Sequence, residues 1–179
     1  MLVYGSVMGE PSPLVLLDVD GVLNPARSRA AGYRRHWVFP AGIAHRLLLN
    51  PRHGPMLAEL AEVTGAELVW ASYWQARANI WIAPRIGLPS LRFVPIPTRW
   101  GHTWRASARP EPGPWKARHV AAWTGQIPFV WLEDDVNVAG CLTEEPGLGR
   151  HLVVGIDPAV GLTEQHVAKA RAWLTSVRP

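Results

Sequence analysis

The run "LVLLDVDGVLNP", residues 14–25, constrains what this chain can fold into more than any other stretch. Leu14, Val15, Leu16 and Leu17 are apolar without alternation. A strand with one wet face alternates apolar and polar residues, whereas a strand covered on both faces reads as a continuous apolar run. The run stops at Asp18, Val19, Asp20 and Gly21. Side chains alternate along a strand, so Asp18 and Asp20 project to one side and Val19 to the other. Two carboxylates on one side repel each other unless a cation or a shared proton offsets the repulsion. A covered strand that delivers two acids to its carboxyl end needs a chemical reason for the pair.

The rest of the chain alternates strand-like and helix-like segments. "MLAELAEVTG" (56–65) has helical apolar spacing and a C-capping Gly65. "AELVWAS" (66–72) is a second strand with Ser72 at its end, and "YWQARANIWIAPRIGLP" (73–89) a helix interrupted at Pro84 and Gly87. "LRFVPIP" (91–97) is a short third strand, and "WKARHVAAWTG" (115–125) a helix. "IPFVWLEDD" (127–135) repeats the opening pattern of an apolar run followed by acids. "HLVVGID" (151–157) is a last strand. "TEQHVAKARAWLTSV" (163–177) is a last helix, with Thr163 as N-cap and Glu164 in its first turn. Residues 1–13 form an N-terminal extension. Residues 26–55, rich in Arg, Gly and Pro, read as a surface excursion rather than a regular element, and 98–114 as an Arg/Trp/Pro-rich loop.

Strands alternating with helices predict an α/β fold, a mainly parallel sheet flanked by helices. Ligands of such sheets sit beyond the carboxyl ends of the strands. That gathers Asp18, Asp20, Ser72, Glu133, Asp134 and Asp135 around one crevice.

The 179 residues suit one domain. Residues 1–13 lack the basic-then-apolar pattern of a signal peptide, and no apolar run reaches the ~18–20 residues that span a bilayer. One cysteine, Cys141, excludes an intrachain disulfide and a multi-cysteine metal site, and reads as a small apolar filler. The expectation is a cytoplasmic protein with no membrane partner; oligomeric state is not encoded legibly. The net charge of +4 comes almost wholly from arginine, since Lys116 and Lys169 are the only lysines. That balance fits an anionic substrate, as it fits many ordinary domains. Most of the ten tryptophans belong to core or half-buried surface, with a few free to stack on bases.

Four pieces therefore occur in order: Asp-x-Asp-Gly after a covered strand, Ser72 after a second, Lys116 opening a helix, and acids after another strand. Each suits phosphoryl transfer. A carboxylate can attack phosphorus, and a second can protonate the leaving oxygen and then deprotonate water. A hydroxyl and an ammonium can hold the phosphoryl oxygens. Mg²⁺, with its preference for oxygen ligands, would account for the clustered carboxylates.

The arrangement resembles the haloacid-dehalogenase-like (HAD) superfamily of phosphohydrolases. More narrowly, "DVDGVLNP", "WASYWQARANIWIAPRIGLP", "WKARHVAAW", "VWLEDD" and "IDPAVGLT" look like the HAD domain group of Swiss Army Knife RNA repair proteins. The resemblance implies a Rossmann-like fold, Asp18 as nucleophile and Asp20 as general acid/base. It also implies Ser72 and Lys116 as phosphate ligands, and Mg²⁺ bound by Asp18, the backbone carbonyl of Asp20, and Asp134. Glu133 and Asp135 are alternatives to Asp134, because Glu133-Asp134 stands where the family often has paired aspartates or Gly-Asp. The intervals 25–67 and 73–115 are too short for an independent cap domain, so residues 26–55 are expected to form a flap or minimal cap over an open site. Arg99, Trp100, Trp104, Arg105 and Arg109 are then candidates for contacting a nucleic-acid end, the arginines on phosphates and the tryptophans on bases. Asn79 is a further candidate for substrate contact, and Arg77 and Arg85 for the crevice wall. The expected activity is an Mg²⁺-dependent phosphatase acting through an aspartyl-phosphate. The alternatives are a small-metabolite phosphatase and a non-catalytic nucleic-acid-binding module with a vestigial site.

Overall fold

In the computed structural model, residues 11–26, 32–96 and 114–177 are described. Five strands form one parallel sheet: β1 (Leu14–Leu17), β4 (Glu67–Trp70), β5 (Arg92–Phe93), β6 (Phe129–Glu133) and β7 (His151–Gly155), in the order β5-β4-β1-β6-β7. The central position of β1 explains its unbroken apolar run, because all four of its residues are buried. Alternation along the strands divides the interior in two. Val15, Leu17, Trp70, Val130 and Leu132 face one side, with helices α1 (His53–Thr64), α2 (Ala76–Trp81), α3 (Ala83–Ile86) and α6 (Glu164–Val177). Leu14, Leu16, Val69, Phe129 and Trp131 face the other, with α4 (Pro114–Thr124) and α5 (Val138–Thr143). The fold is α/β, as the sequence pattern leads one to expect, and Rossmann-like, as the family resemblance implies.

Register fixes the neighbours of the acids. Leu17 of β1 pairs with Trp70 on one flank and Leu132 on the other. Asp18 therefore lies level with Ala71 and with Glu133, and its N–H donates to the Leu132 carbonyl at 3.1 Å. Ser72 stands one residue beyond that level. Punctuation also follows residue chemistry. Gly65 closes α1 in the left-handed conformation at φ 63°, with its N–H on the carbonyls of Ala61 and Glu62. The helical segment 73–89 is divided at Ile82 and closed by Gly87 at φ 81°. Thr163 precedes α6, but its hydroxyl meets His166 Nδ1 at 3.0 Å.

One expectation is overturned. Residues 26–55 contain an antiparallel hairpin, β2 (Arg34–Val38) and β3 (His45–Leu49), joined through a 3₁₀ turn at Pro40–Gly42. Val38, Leu47 and Leu49 bury into the main core, so this is a docked element rather than an irregular excursion. Its inner register also carries Arg34 and His36, so β2 lacks the apolar alternation that reveals a strand. Among the described residues, no helix is long and apolar enough to cross a membrane.

Candidate active site

The site begins at the carboxyl ends of β1 and β6. Trp131 and Glu133 alternate onto the α4 side of the sheet, the side that Leu16 faces. Helix α4 seats Ala117, Val120 and Ala121 on that side. Lys116 extends the same helical stripe at i, i+4 and i+5 and so points inward at the helix's N-terminal end. Its ammonium lies 3.1 Å from Asp18 Oδ2 and 2.6 Å from Glu133 Oε2, with all three side chains buried. Burial opposes the charge on Lys116, but Asp18 and Glu133 outweigh it and hold its pKa above the ordinary lysine value. Glu133 goes the other way for an acid: burial and the Asp18 charge push its carboxyl well up, against the pull of Lys116. Two buried carboxyl groups thus share one ammonium, and with both ionised the trio carries a net negative charge.

Asp134 adds to that charge. Carboxylate oxygens of Asp18, Glu133 and Asp134 all come within 4.8 Å of one another. Burial and Asp18 raise the Asp134 carboxyl as well. Gly21 makes the approach feasible: it has φ 82°, and a Cβ there would collide with the Asp134 carboxylate. Three converging carboxylates, in surroundings short of positive charge, fit a hard divalent cation. Asp135 is not in this group. Its carboxylate accepts from the N–H and side-chain amide of Asn137 at 2.9 and 3.0 Å, at the start of α5.

Asp20 is held separately. β1 has ended at Leu17, and the turn 19–24 is pinned by the N–H groups of Leu23 and Asn24 on the Val19 carbonyl. Asn24 Nδ2 donates to Asp20 Oδ1 and Trp74 Nε1 to Asp20 Oδ2, each at 2.8 Å. Asp20 opens to the crevice, yet the protein packed around it raises its carboxyl, Asp18 adding to the effect. The donors Asn24 and Trp74 and the charge of Lys116 oppose the rise. The two acids of the opening motif therefore have different surroundings: Asp18 touches an ammonium, Asp20 two neutral donors.

Ser72 is buried at the end of β4, its Oγ 3.4 Å from the Trp74 N–H. Tyr73 flanks the cluster, with Lys116 Nζ 5.9 Å from its ring. The Asn79 amide accepts from Trp70 Nε1 and the Leu91 N–H and donates to the Leu91 carbonyl, so it joins β4 to the start of β5. Arg85 caps α2 at the Trp81 carbonyl, and Arg77 is exposed on α2. Arg99, Trp100, Trp104, Arg105 and Arg109 lie outside the described residues. Asn24 and Trp74, the two donors to Asp20, escaped the sequence reading. The family motif carries Asn24 in "DGVLN", but nothing in a single sequence marks its side chain as turned back onto Asp20.

The model of the HAD domain in Swiss Army Knife RNA repair proteins matches residues 14–167, spanning every element of the site. The chain belongs to that family. It is therefore an HAD-superfamily domain, a superfamily of hydrolases that are generally phosphatases. No curated protein and no solved structure matches it significantly.

The charge arrangement makes a stability prediction. Lys116→Met leaves Asp18 and Glu133 facing each other in the interior with no counter-charge. In chelator-treated protein this should cost ~3–5 kcal/mol of unfolding free energy by urea titration. Adding Glu133→Gln should recover much of the loss. A cost below ~1 kcal/mol for Lys116→Met would show that Asp18 and Glu133 do not depend on it.

Proposed function

We propose that this domain is an Mg²⁺-dependent phosphatase that works through an aspartyl-phosphate and acts on phosphorylated nucleic-acid ends. The observation that carries the reading is the division of labour between the two motif acids. Asp18 lies against Lys116 in a cluster of carboxylates, while Asp20, with a raised pKa, is held apart by Asn24 and Trp74.

Chemistry follows from those surroundings. A carboxylate oxygen of Asp18 attacks phosphorus, and the bond from phosphorus to the leaving oxygen breaks. Asp20 supplies a proton to that oxygen. In the second half Asp20 takes a proton from water, the water oxygen attacks phosphorus, and the bond to Asp18 breaks to free inorganic phosphate. Lys116 offsets phosphoryl charge beside the Asp18 carboxylate, and the Ser72 hydroxyl offers a donor to a phosphoryl oxygen. Asp18, Asp134 and the backbone carbonyl of Asp20 would hold Mg²⁺, with Glu133 behind them as the partner of Lys116. The ion would polarise the phosphoryl group and offset the carboxylates' mutual repulsion. Two things support a polynucleotide substrate: the family's description as a domain of RNA repair proteins, and the Arg/Trp-rich composition of 98–114.

Asp18→Asn is nearly isosteric, so it should fold like the parent and lose turnover of aryl phosphates and phosphorylated oligonucleotides alike. Chelation should abolish wild-type activity, with Mg²⁺ restoring it and raising Tm; Asp134→Ala should lose the Tm increase. Full activity in Asp18→Asn, or an Mg²⁺ response undiminished in Asp134→Ala, contradicts the reading.

The pH dependence has a definite sign. Asp20 must carry a proton to act on the leaving oxygen, so kcat/KM falls as pH rises through its raised pKa. Trp74 Nε1–H stabilises the carboxylate form and so holds that pKa down. Trp74→Phe removes the donor, and the alkaline limb should move to higher pH. A limb that stays in place, or moves down, would show that Asp20 is not the acid.

A further inference from the structure

The hairpin β2–β3 has two unlike faces. Strand register sets Arg34, His36 and Val38 on one face with Leu49, Leu47 and His45, and that face carries the residues buried in the core. The opposite face carries the cross-strand pairs Trp37–Arg46 and Arg35–Leu48, with Phe39 just beyond the end of β2. There Trp37 is 58% and Phe39 54% exposed, while Arg35 and Arg46 are exposed and pair with no carboxylate among the described residues. No acidic residue occurs between Asp20 and Glu59, a stretch that holds six arginines. Exposed indole and phenyl rings interleaved with guanidinium groups suit a chain of alternating bases and phosphates; they do not suit an apolar or cationic partner.

The hairpin is also tied to the leaving-group side of the site. Asn24 donates to Asp20 and accepts from the Leu48 N–H at 2.8 Å. His45 meets the Trp74 ring edge-on at 6.1 Å, and Trp74 donates to Asp20. A phosphate monoester in reach of Asp18 directs its leaving oxygen to Asp20, so the remainder of the substrate departs from the crevice on the side where this hairpin is anchored.

We infer that the outer face of the hairpin binds single-stranded RNA leading to the terminal phosphate, with Trp37 stacking on a base and Arg35 and Arg46 neutralising phosphates. This identifies a surface for the substrate class of the proposed function and rests on that reading for the direction of the strand. The arginines bring salt dependence to binding, and the indole brings tolerance of sequence.

The test separates binding from turnover. Fluorescence anisotropy of a labelled, terminally phosphorylated single-stranded RNA oligonucleotide is measured on the full chain across a salt series, and hydrolysis of a small aryl phosphate on the same preparations. Trp37→Ala should weaken RNA binding about tenfold or more. Arg35→Gln with Arg46→Gln should lower the salt slope by roughly 1.4, since each single-strand phosphate that a cation neutralises adds about 0.7 to it. Aryl phosphatase activity should stay within about twofold in every variant, which also shows that the hairpin remains folded. RNA affinity and salt slope unchanged when Trp37→Ala, Arg35→Gln and Arg46→Gln are combined would overturn the inference while leaving the phosphatase reading intact. So would a change in self-association with RNA affinity intact. Hairpin-dependent RNA binding without any hydrolysis would instead preserve the inference and remove the phosphatase reading.

Discussion

The ammonium of Lys116 between Asp18 and Glu133 is the interaction on which the rest of the site depends. Three charged groups are buried together where β1 and β6 end, and their grouping is acceptable only because each side chain meets an opposite charge. It ties α4 to the sheet at the point where the sheet stops. It gives the Asp18 carboxylate a counter-charge in a dry setting, and with Glu133 ionised it leaves the cluster one positive charge short. That deficit makes the same place attractive to a cation, since Asp134 brings a third carboxylate that no protein group neutralises fully.

Asp20 belongs to a second, neutral network. Its carboxylate accepts one hydrogen bond from Asn24 and one from Trp74, and Asn24 continues to the backbone of β3. Placement of Asp20 thus depends on a hairpin that docks by Val38, Leu47 and Leu49, whereas placement of Asp18 depends on the central strand. A chain that uses one short motif for both acids still supports them from two different elements. The hairpin backbone and the Asp20 carboxylate are thereby joined by a short physical route, through Leu48, Asn24 and Asp20.

How much of this was legible in the sequence follows from where the information lies. The central strand was readable because burial on both faces forces an unbroken apolar run, and the ends of the helices at Gly65 and Gly87 because glycine accepts positive φ. The order of Asp18, Ser72, Lys116 and Glu133-Asp134 along the chain was enough to gather them at one sheet edge, since parallel strands send their carboxyl ends the same way. The hairpin was not readable: Arg34 and His36 occupy the register positions where an apolar pattern would have shown. Helix α5 spans only Val138–Thr143, too short for a period to appear. The bonding roles of Asn24, Trp74 and Asn79 were invisible for another reason. Their roles are hydrogen bonds to particular partners, and a side chain's direction depends on turns that composition does not specify. The pairing of Glu133 with Lys116, as opposed to a role for Glu133 as a simple substitute for Asp134, likewise required the register of β6 against β1.

The central claim is that Asp18 carries the phosphoryl group during turnover. The most direct measurement mixes the protein with Mg²⁺ and a substrate labelled on its phosphate, quenches in acid within a single turnover, and maps the retained label by peptide mass spectrometry. The account predicts label on the peptide that contains Asp18, at Asp18 itself, sensitive to hydroxylamine as an acyl-phosphate is, and absent from Asp18→Asn. Complete hydrolysis of the substrate with no labelled protein at any quench time, or label on another residue, would contradict it.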